Sequence, residues 1–130
     1  MTIVVGYVPT AEGRAALDRA VEEALQRRLR LVVVNSSRGD ALADPGFPTE
    51  AEIERVRGQL ESAGVDFEIR RPVRGREASD EVVDVAKDVD ASLIVIGLRR
   101  RTPVGKLIMG SNAQRILLDA ECPVLAVKAG

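Results

Sequence analysis

Five short apolar runs rich in valine and isoleucine recur along the chain, and a segment with helical spacing separates each run from the next. Short apolar runs of β-branched residues are typical of buried strands. The runs are TIVVGYV (2–8), LRLVVVNSS (centred on 31–34), VDFEIRRPV (65–73), ASLIVIG (91–97) and CPVLAVK (122–128). This alternation predicts a βαβαβαβαβ chain, and therefore a parallel sheet with helices on both faces.

Four helices are predicted between these strands from apolar residues at helical spacing. The predicted apolar faces are Leu17, Ala20, Val21, Ala24 and Leu25; then Ile53, Val56, Leu60 and Ala63; then Ala78, Val82, Val85, Ala86 and Val89. The fourth helix is the short SNAQRILLDA (111–120), and Gly64 is predicted to stop the second. The acids of DEVVDVAKDVD (80–90) are predicted on a solvated helix face, and SRGDALADPGFPT (37–49) is predicted as a loop.

Length and composition predict one domain over residues 1–130 and exclude several classes of function. A net charge of −1 gives no global attraction to nucleic acid, and 2% aromatic residues disfavour a base-stacking surface. No run approaches the ~18 apolar residues of a membrane span. We expect no secretion signal in MTIVVGYVPT and a cytoplasmic location, since the single Cys122 forms no intrachain disulfide.

Missing residue types disfavour catalysis. The chain has no histidine, which excludes a Ser-His-Asp triad, a Cys-His pair and a histidine metal site. Cys122 has no identifiable activating base, so we predict a small buried residue. No carboxylate near the basic segment described next is placed to hold magnesium or orient water, so an ATPase is disfavoured. The chain is predicted to bind rather than to catalyse.

A basic segment joins the fourth strand to the last helix. No acid lies between Asp90 and Asp119, whereas the same stretch carries five cations: Arg99, Arg100, Arg101, Lys106 and Arg115. Ligands of open α/β sheets bind beyond the carboxyl ends of the strands. The segment ends at Gly110 and Ser111, where free N–H groups and the helix dipole favour an anion.

Other interpretations of the same residues stay open. Ser111 and Gln114 form a capping box, which explains the serine without a ligand. The arginines fit a solvated loop or ion pairs with neighbouring helices equally well, and Gly97 fits a tight strand exit. The segment lacks the first glycine and final hydroxyl of a Walker A motif, and no G-x-G-x-x-G follows the first strand.

The C-terminal part, IGLRRRTPVGKLIMGSNAQRILLDAECPVLAV (96–127), resembles the signature of the universal stress protein family. That signature is G-x2-G-x9-G-[ST] after the fourth strand, followed by a short helix and a CPVLVV-like strand. Gly97, Gly110 and Ser111 match it, and Arg100 stands at its second glycine. IVVGYVPTAEGRAAL (3–17) resembles the first strand and helix of the family, so the resemblance covers essentially the whole chain.

The resemblance implies a doubly wound, flavodoxin-like and Rossmann-like sheet of order 3-2-1-4-5. It also implies a stress-response module that binds ATP, ADP or AMP, with Mg²⁺ as an optional companion and the phosphates at residues 97–112. Val8 stands where nucleotide-binding members usually carry an acid. The nucleotide-binding residues implied are Tyr7, Val8, Asn35, Ile96, Gly97, Arg99, Arg100, Lys106, Gly110, Ser111 and Asn112.

Two further expectations concern partners. The last strand is apolar and lies at the sheet edge in this order, so we predict a homodimer through Val124, Leu125, Ala126 and Val127. The alternative function is a nucleotide-free regulatory or interaction protein of the same fold, in which the arginine loop docks an acidic partner.

Overall fold

Strands and helices alternate throughout the computed structural model, which describes residues 1–35, 50–71, 77–98 and 111–129. The elements are β1 (Thr2–Tyr7), α1 (Ala11–Arg27), β2 (Arg30–Asn35), α2 (Glu50–Ala63), β3 (Phe67–Arg70), α3 (Ala78–Asp88), β4 (Ala91–Leu98), α4 (Ser111–Asp119) and β5 (Val124–Lys128). The predicted βαβαβαβαβ order is confirmed. The loop predicted at 37–49 lies outside the described residues.

All five strands are parallel and lie in the order β3-β2-β1-β4-β5, as predicted. β1 is central, with β2 on one side and β4 on the other. In the register, Tyr7 lies beside Asn35, and Val5 lies beside both Val33 and Val95. The last residues of β1 and β2 therefore share one edge of the sheet.

The core consists of two apolar layers, one on each face of the sheet. The first contains residues of α1 and α2 and the second contains residues of α3 and α4. β4 contributes to both, with Leu93 and Val95 in the first layer and Ile94 and Ile96 in the second. The predicted parallel sheet with helices on both faces is confirmed, and the apolar residues on both faces of β4 reflect its burial on both sides.

Two predicted burial patterns are wrong. Leu25 is 47% exposed, because it follows Ala24 by about 100° around the helix and falls outside the buried arc of α1. Glu81 is only 8% exposed instead of lying on a solvated face. α3 packs on both the sheet and α4, which widens its buried arc to include Glu81, Val82 and Val83.

Two smaller predictions concern the end of α2 and the single cysteine. Gly64 follows α2 with φ of 77°, and its N–H donates to the carbonyl of Glu61 at 3.1 Å, so it is the predicted stop. Cys122 is half-buried against the second core layer, less covered than predicted. Burial raises the pKa of its thiol, which keeps it protonated and unreactive at neutral pH.

Candidate functional site

The connections that follow β1 and β4 run to opposite faces of the sheet, so the strand order reverses between these two strands. These strands are neighbours, yet β1 leads into α1 on one face and β4 leads towards α4 on the other. In open α/β sheets, the crevice outside the carboxyl ends of two such diverging strands is the usual ligand position. Val8 is half-exposed at the exit of β1.

The first turn of α1 is pressed against this edge through two glycines. A Cβ added to Gly13 would lie 1.9 Å from the Val8 carbonyl oxygen. One added to Gly97 would lie 2.2 Å from the Glu12 carbonyl oxygen. The Thr10 side chain caps the helix by accepting from the Gly13 N–H at 3.1 Å. Gly97 therefore admits the backbone of α1, a packing reason for glycine that the sequence did not reveal.

Tyr7 joins the end of β1 to the first turns of α2. Its fully buried side chain donates a hydrogen bond from the phenol to Glu52. Arg55 Nη2 donates to the phenol oxygen at 2.7 Å and to Glu52 Oε2 at 2.8 Å. Glu50, at the start of the same helix, pairs with Arg71 after β3. These contacts fix the position of α2 at the carboxyl edge.

The environment of Tyr7 favours its neutral form. Burial, the hydrogen bond to Glu52 and the charge of Glu52 together raise its pKa from 10.0 to about 12, against the opposing charges of Arg55 and Arg14. The hydrogen bond from Arg55 holds the pKa of the Glu52 carboxyl below its usual value, with a smaller contribution from Tyr7. Glu52 therefore stays ionised and accepts a hydrogen bond from the neutral phenol of Tyr7.

An alkaline titration tests this arrangement directly, since Tyr7 is the only tyrosine and the chain has no tryptophan. Because the folded pKa is raised, the stabilisation is complete below pH 10 and is lost as the pH rises towards 12. We expect tyrosinate absorbance to appear near pH 12 in the folded chain and near its ordinary value in urea. Glu52→Gln should lower the folded midpoint. A folded midpoint at the ordinary pKa would contradict the contacts.

Two buried side-chain oxygen atoms lack a hydrogen-bond partner in the described part of the chain. Asn35, the last residue of β2, is fully buried, and its Nδ2 donates to the Arg70 carbonyl oxygen at 3.5 Å. Its Oδ1 has no partner. Ser79, in the first turn of α3, is also fully buried with an unpartnered hydroxyl. Such groups cost about 1–3 kcal/mol each unless something satisfies them.

The helices that begin at the carboxyl edge differ in whether their first turn carries acidic residues. Glu12 lies in the first turn of α1, Glu50 and Glu52 in that of α2, and Asp80 and Glu81 in that of α3. The first turn of α4 carries none. Since acids at a helix start oppose a bound anion, α4 has the start best suited to a phosphate.

The predicted site residues divide into three groups. Tyr7, Val8, Asn35 and Gly97 lie at or beside the carboxyl edge, and Asn112 lies half-buried in the first turn of α4. Ile96 is buried in the second core layer, so its side chain packs within the protein. The third group lies outside the described residues: Arg99, Arg100, Lys106 and Gly110. Ser111 is the first residue of α4.

Sequence reasoning missed Glu52, Arg55 and Ser79. Glu52 and Arg55 are spaced as an ordinary ion pair on one helix face, and nothing in that spacing indicates a buried tyrosine between them. Ser79 stands among polar residues in EASDEV, which is typical of any helix start. Within the described ranges, no group of three histidine, cysteine or acidic side chains forms a metal site. The helices of those ranges include none able to cross a membrane.

The chain was compared with known proteins. The family model for the universal stress protein family matches residues 1–128. A universal stress protein of Mycolicibacterium smegmatis is 48% identical over 126 residues, which are 97% of this chain and 96% of that protein. A universal stress protein of Archaeoglobus fulgidus in complex with dAMP is 30% identical, with a TM-score of 0.70 over 98% of both chains. A universal stress protein in complex with cAMP is 26% identical, with a TM-score of 0.73 over 100% of this chain and 98% of that one.

Proposed function

Because the chain belongs to the universal stress protein family, we propose that it binds an adenine nucleotide at the carboxyl edge of its sheet, over the exit of β1. The similar structures in complex with dAMP and cAMP support an adenine ligand. The proposed role is that of a cytoplasmic stress-response binding module rather than an enzyme. ATP, ADP and AMP share the base and sugar on which the proposal depends.

The observation that carries the proposal is the orientation of Asn35. Its Nδ2 faces the Arg70 carbonyl oxygen, and the reversed amide would set two carbonyl-type oxygens against each other. Oδ1 is therefore a fixed acceptor, buried and without a partner among the described residues. Adenine carries an exocyclic amino donor where hypoxanthine and guanine carry a carbonyl oxygen. An adenine whose 6-amino group faces Oδ1 at the end of β2 would satisfy Asn35, whereas hypoxanthine and guanine in the same pose would present a carbonyl oxygen to it.

The charges at the carboxyl edge favour one orientation of the nucleotide, with its phosphates towards α4. With the base at the end of β2, the ligand crosses the exit of β1 towards β4, in the order of the strands. The phosphates then approach the start of α4, which carries no acid in its first turn. The arginines predicted to meet the phosphates lie outside the described residues. Mg²⁺ remains an optional companion of the phosphates in this proposal.

Mass spectrometry of small molecules released from the chain tests the proposal. The protein is purified without added nucleotide, denatured, and its bound molecules are identified. We expect an adenine nucleotide, recovered at a fixed ratio to the chain. Recovery of a guanine nucleotide would contradict the role given to Asn35. If no nucleotide is released and none binds when added, the nucleotide-free interaction protein is the better account.

We also propose that two copies pair through the open edge of β5. Val124, Leu125, Ala126 and Val127 are all half-buried, and β5 has β4 on only one side. Leu125 and Val127 pack on the first core layer, and Val124 and Ala126 on the second. These side chains hold β5 to its own core, so pairing would use the free backbone groups of the edge.

Ala126→Pro tests this pairing without disturbing the contact between β5 and β4. Ile94 N–H donates to the Pro123 carbonyl, and the alternation of a parallel ladder then points the N–H of Ala126 towards the open edge. Proline is tolerated where that group faces away from the sheet. We expect the variant to halve the mass measured by light scattering at micromolar concentration. A wild-type chain that is already monomeric would refute the dimer.

A further inference from the structure

Ser79 is a fully buried serine whose hydroxyl has no partner among the described residues. It is the second residue of α3, and the Glu77 side chain before the helix makes no capping hydrogen bond. A buried hydroxyl left unpaired is unfavourable, and native proteins rarely keep one without a use. Neither the family resemblance nor the sequence motifs assign a role to this residue.

The position of Ser79 follows from a contact one helical turn away. A Cβ added to Gly6 of β1 would lie 3.3 Å from Val82 Cγ2 and 3.9 Å from Ile96 Cγ2. Val82 therefore lies over Gly6, near the carboxyl end of β1. α3 runs from the carboxyl edge to the amino edge of the sheet, so Ser79, three residues earlier, lies about one turn nearer the carboxyl edge. That places Ser79 beside the exit of β1, at the crevice.

The part of the ligand that reaches Ser79 follows from the proposed function, on which this inference rests. The base lies at the end of β2, the phosphates lie at the start of α4, and β1 is between β2 and β4. The sugar is the part that crosses the exit of β1. Asp80 and Glu81 make the first turn of α3 unfavourable to phosphate but not to a neutral hydroxyl. We propose that the Ser79 hydroxyl hydrogen-bonds a ribose hydroxyl of the bound nucleotide.

The burial of Ser79 sets a condition on this contact. Its side chain is fully covered without ligand, so an entering sugar displaces part of what covers it. This displacement lowers the affinity for all nucleotides alike. It does not alter the ratio between the affinities of AMP and of a deoxy-AMP. The test therefore compares these affinities within each variant.

The experiment measures the affinities of AMP, 2′-deoxy-AMP and 3′-deoxy-AMP by calorimetry. The variants are Ser79→Ala and Ser79→Cys, which keeps nearly the same volume with a weak donor. Ser92→Ala is the matched control, because the Ser92 hydroxyl donates to the Thr2 carbonyl at 3.4 Å near the amino edge. Thermal unfolding of each ligand-free variant is recorded in parallel.

We expect the wild type to lose about fivefold in affinity when one of the two ribose hydroxyls is removed. In Ser79→Ala and Ser79→Cys, the deoxy-AMP that lacks this hydroxyl should bind as tightly as AMP. Ser92→Ala should show the same affinity ratio as the wild type. Ser79→Ala should leave the ligand-free unfolding temperature unchanged or raised. A lowered temperature, or a sugar preference that survives in both Ser79 variants, would overturn the inference while leaving adenine binding intact. A wild type that binds none of the three would overturn the proposed function itself.

Discussion

Gly97→Ala is expected to destabilise the folded chain by about 3 kcal/mol, at the upper end of the cost of overpacking. The added methyl would lie 2.2 Å from the carbonyl oxygen and 2.6 Å from the carbonyl carbon of Glu12. These are backbone atoms in the first turn of α1, and they cannot turn aside as a flexible side chain would. Urea unfolding followed by circular dichroism measures the loss.

Gly58→Ala is the matched control for this substitution. Gly58 is exposed in the middle of α2, and a Cβ added there meets nothing within 4 Å. Alanine is the better helix former, so this variant should gain up to about 1 kcal/mol. Gly97→Ala should also weaken nucleotide binding, because the displaced turn borders the crevice. An unfolding free energy unchanged in Gly97→Ala would show that α1 is not pressed against β4.

Asn35→Leu is expected to abolish the preference for adenine over hypoxanthine. In the proposed wild-type complex, Oδ1 accepts from the adenine amino group but opposes the hypoxanthine carbonyl, so AMP should bind about tenfold more tightly than IMP. Leucine has a similar size and no acceptor, so the two nucleotides should bind with nearly equal affinity. Calorimetric titration of the wild type and Asn35→Leu with AMP and IMP gives the ratio of the two affinities in each protein.

Asn112→Leu separates base recognition from general loss of affinity. Asn112 lies half-buried in the first turn of α4, where the phosphates are proposed to lie. Its replacement should weaken AMP and IMP by the same factor and leave their ratio unchanged. A ratio that survives in Asn35→Leu would place the base elsewhere, even if both variants bind more weakly.

The strand order and the two core layers could be predicted because each element carries its own pattern. The run from Leu93 to Ile96 is apolar on both faces, which occurs in a strand covered from two sides. Which residues of α1 are buried was less predictable. Leu25 continues the helical spacing but lies exposed, since burial depends on where the sheet lies and not on spacing alone.

The placement of the strand-end candidate residues at one edge of the sheet could be predicted, and their contacts could not. Residues at strand ends, such as Tyr7 and Asn35, are placed at one edge by topology alone. The partners of Tyr7 come from α2, far along the chain, and no local pattern records such a contact. The spacing of Gly97 matches a nucleotide-binding motif and predicts a ligand contact. The structure adds a second reason for that glycine, the close approach of α1.

Amide NMR titration of the chain with AMP tests the central claim most directly, since it reports both binding and its place. We expect saturable shifts at the carboxyl edge, in Val8, Asn35 and Asn112, and unchanged signals for Thr2 and Arg30 at the amino edge. IMP should produce the same shifts only at higher concentration. A folded chain whose spectrum does not change at millimolar AMP, or whose shifts lie at the amino edge, would contradict the proposed adenine nucleotide site.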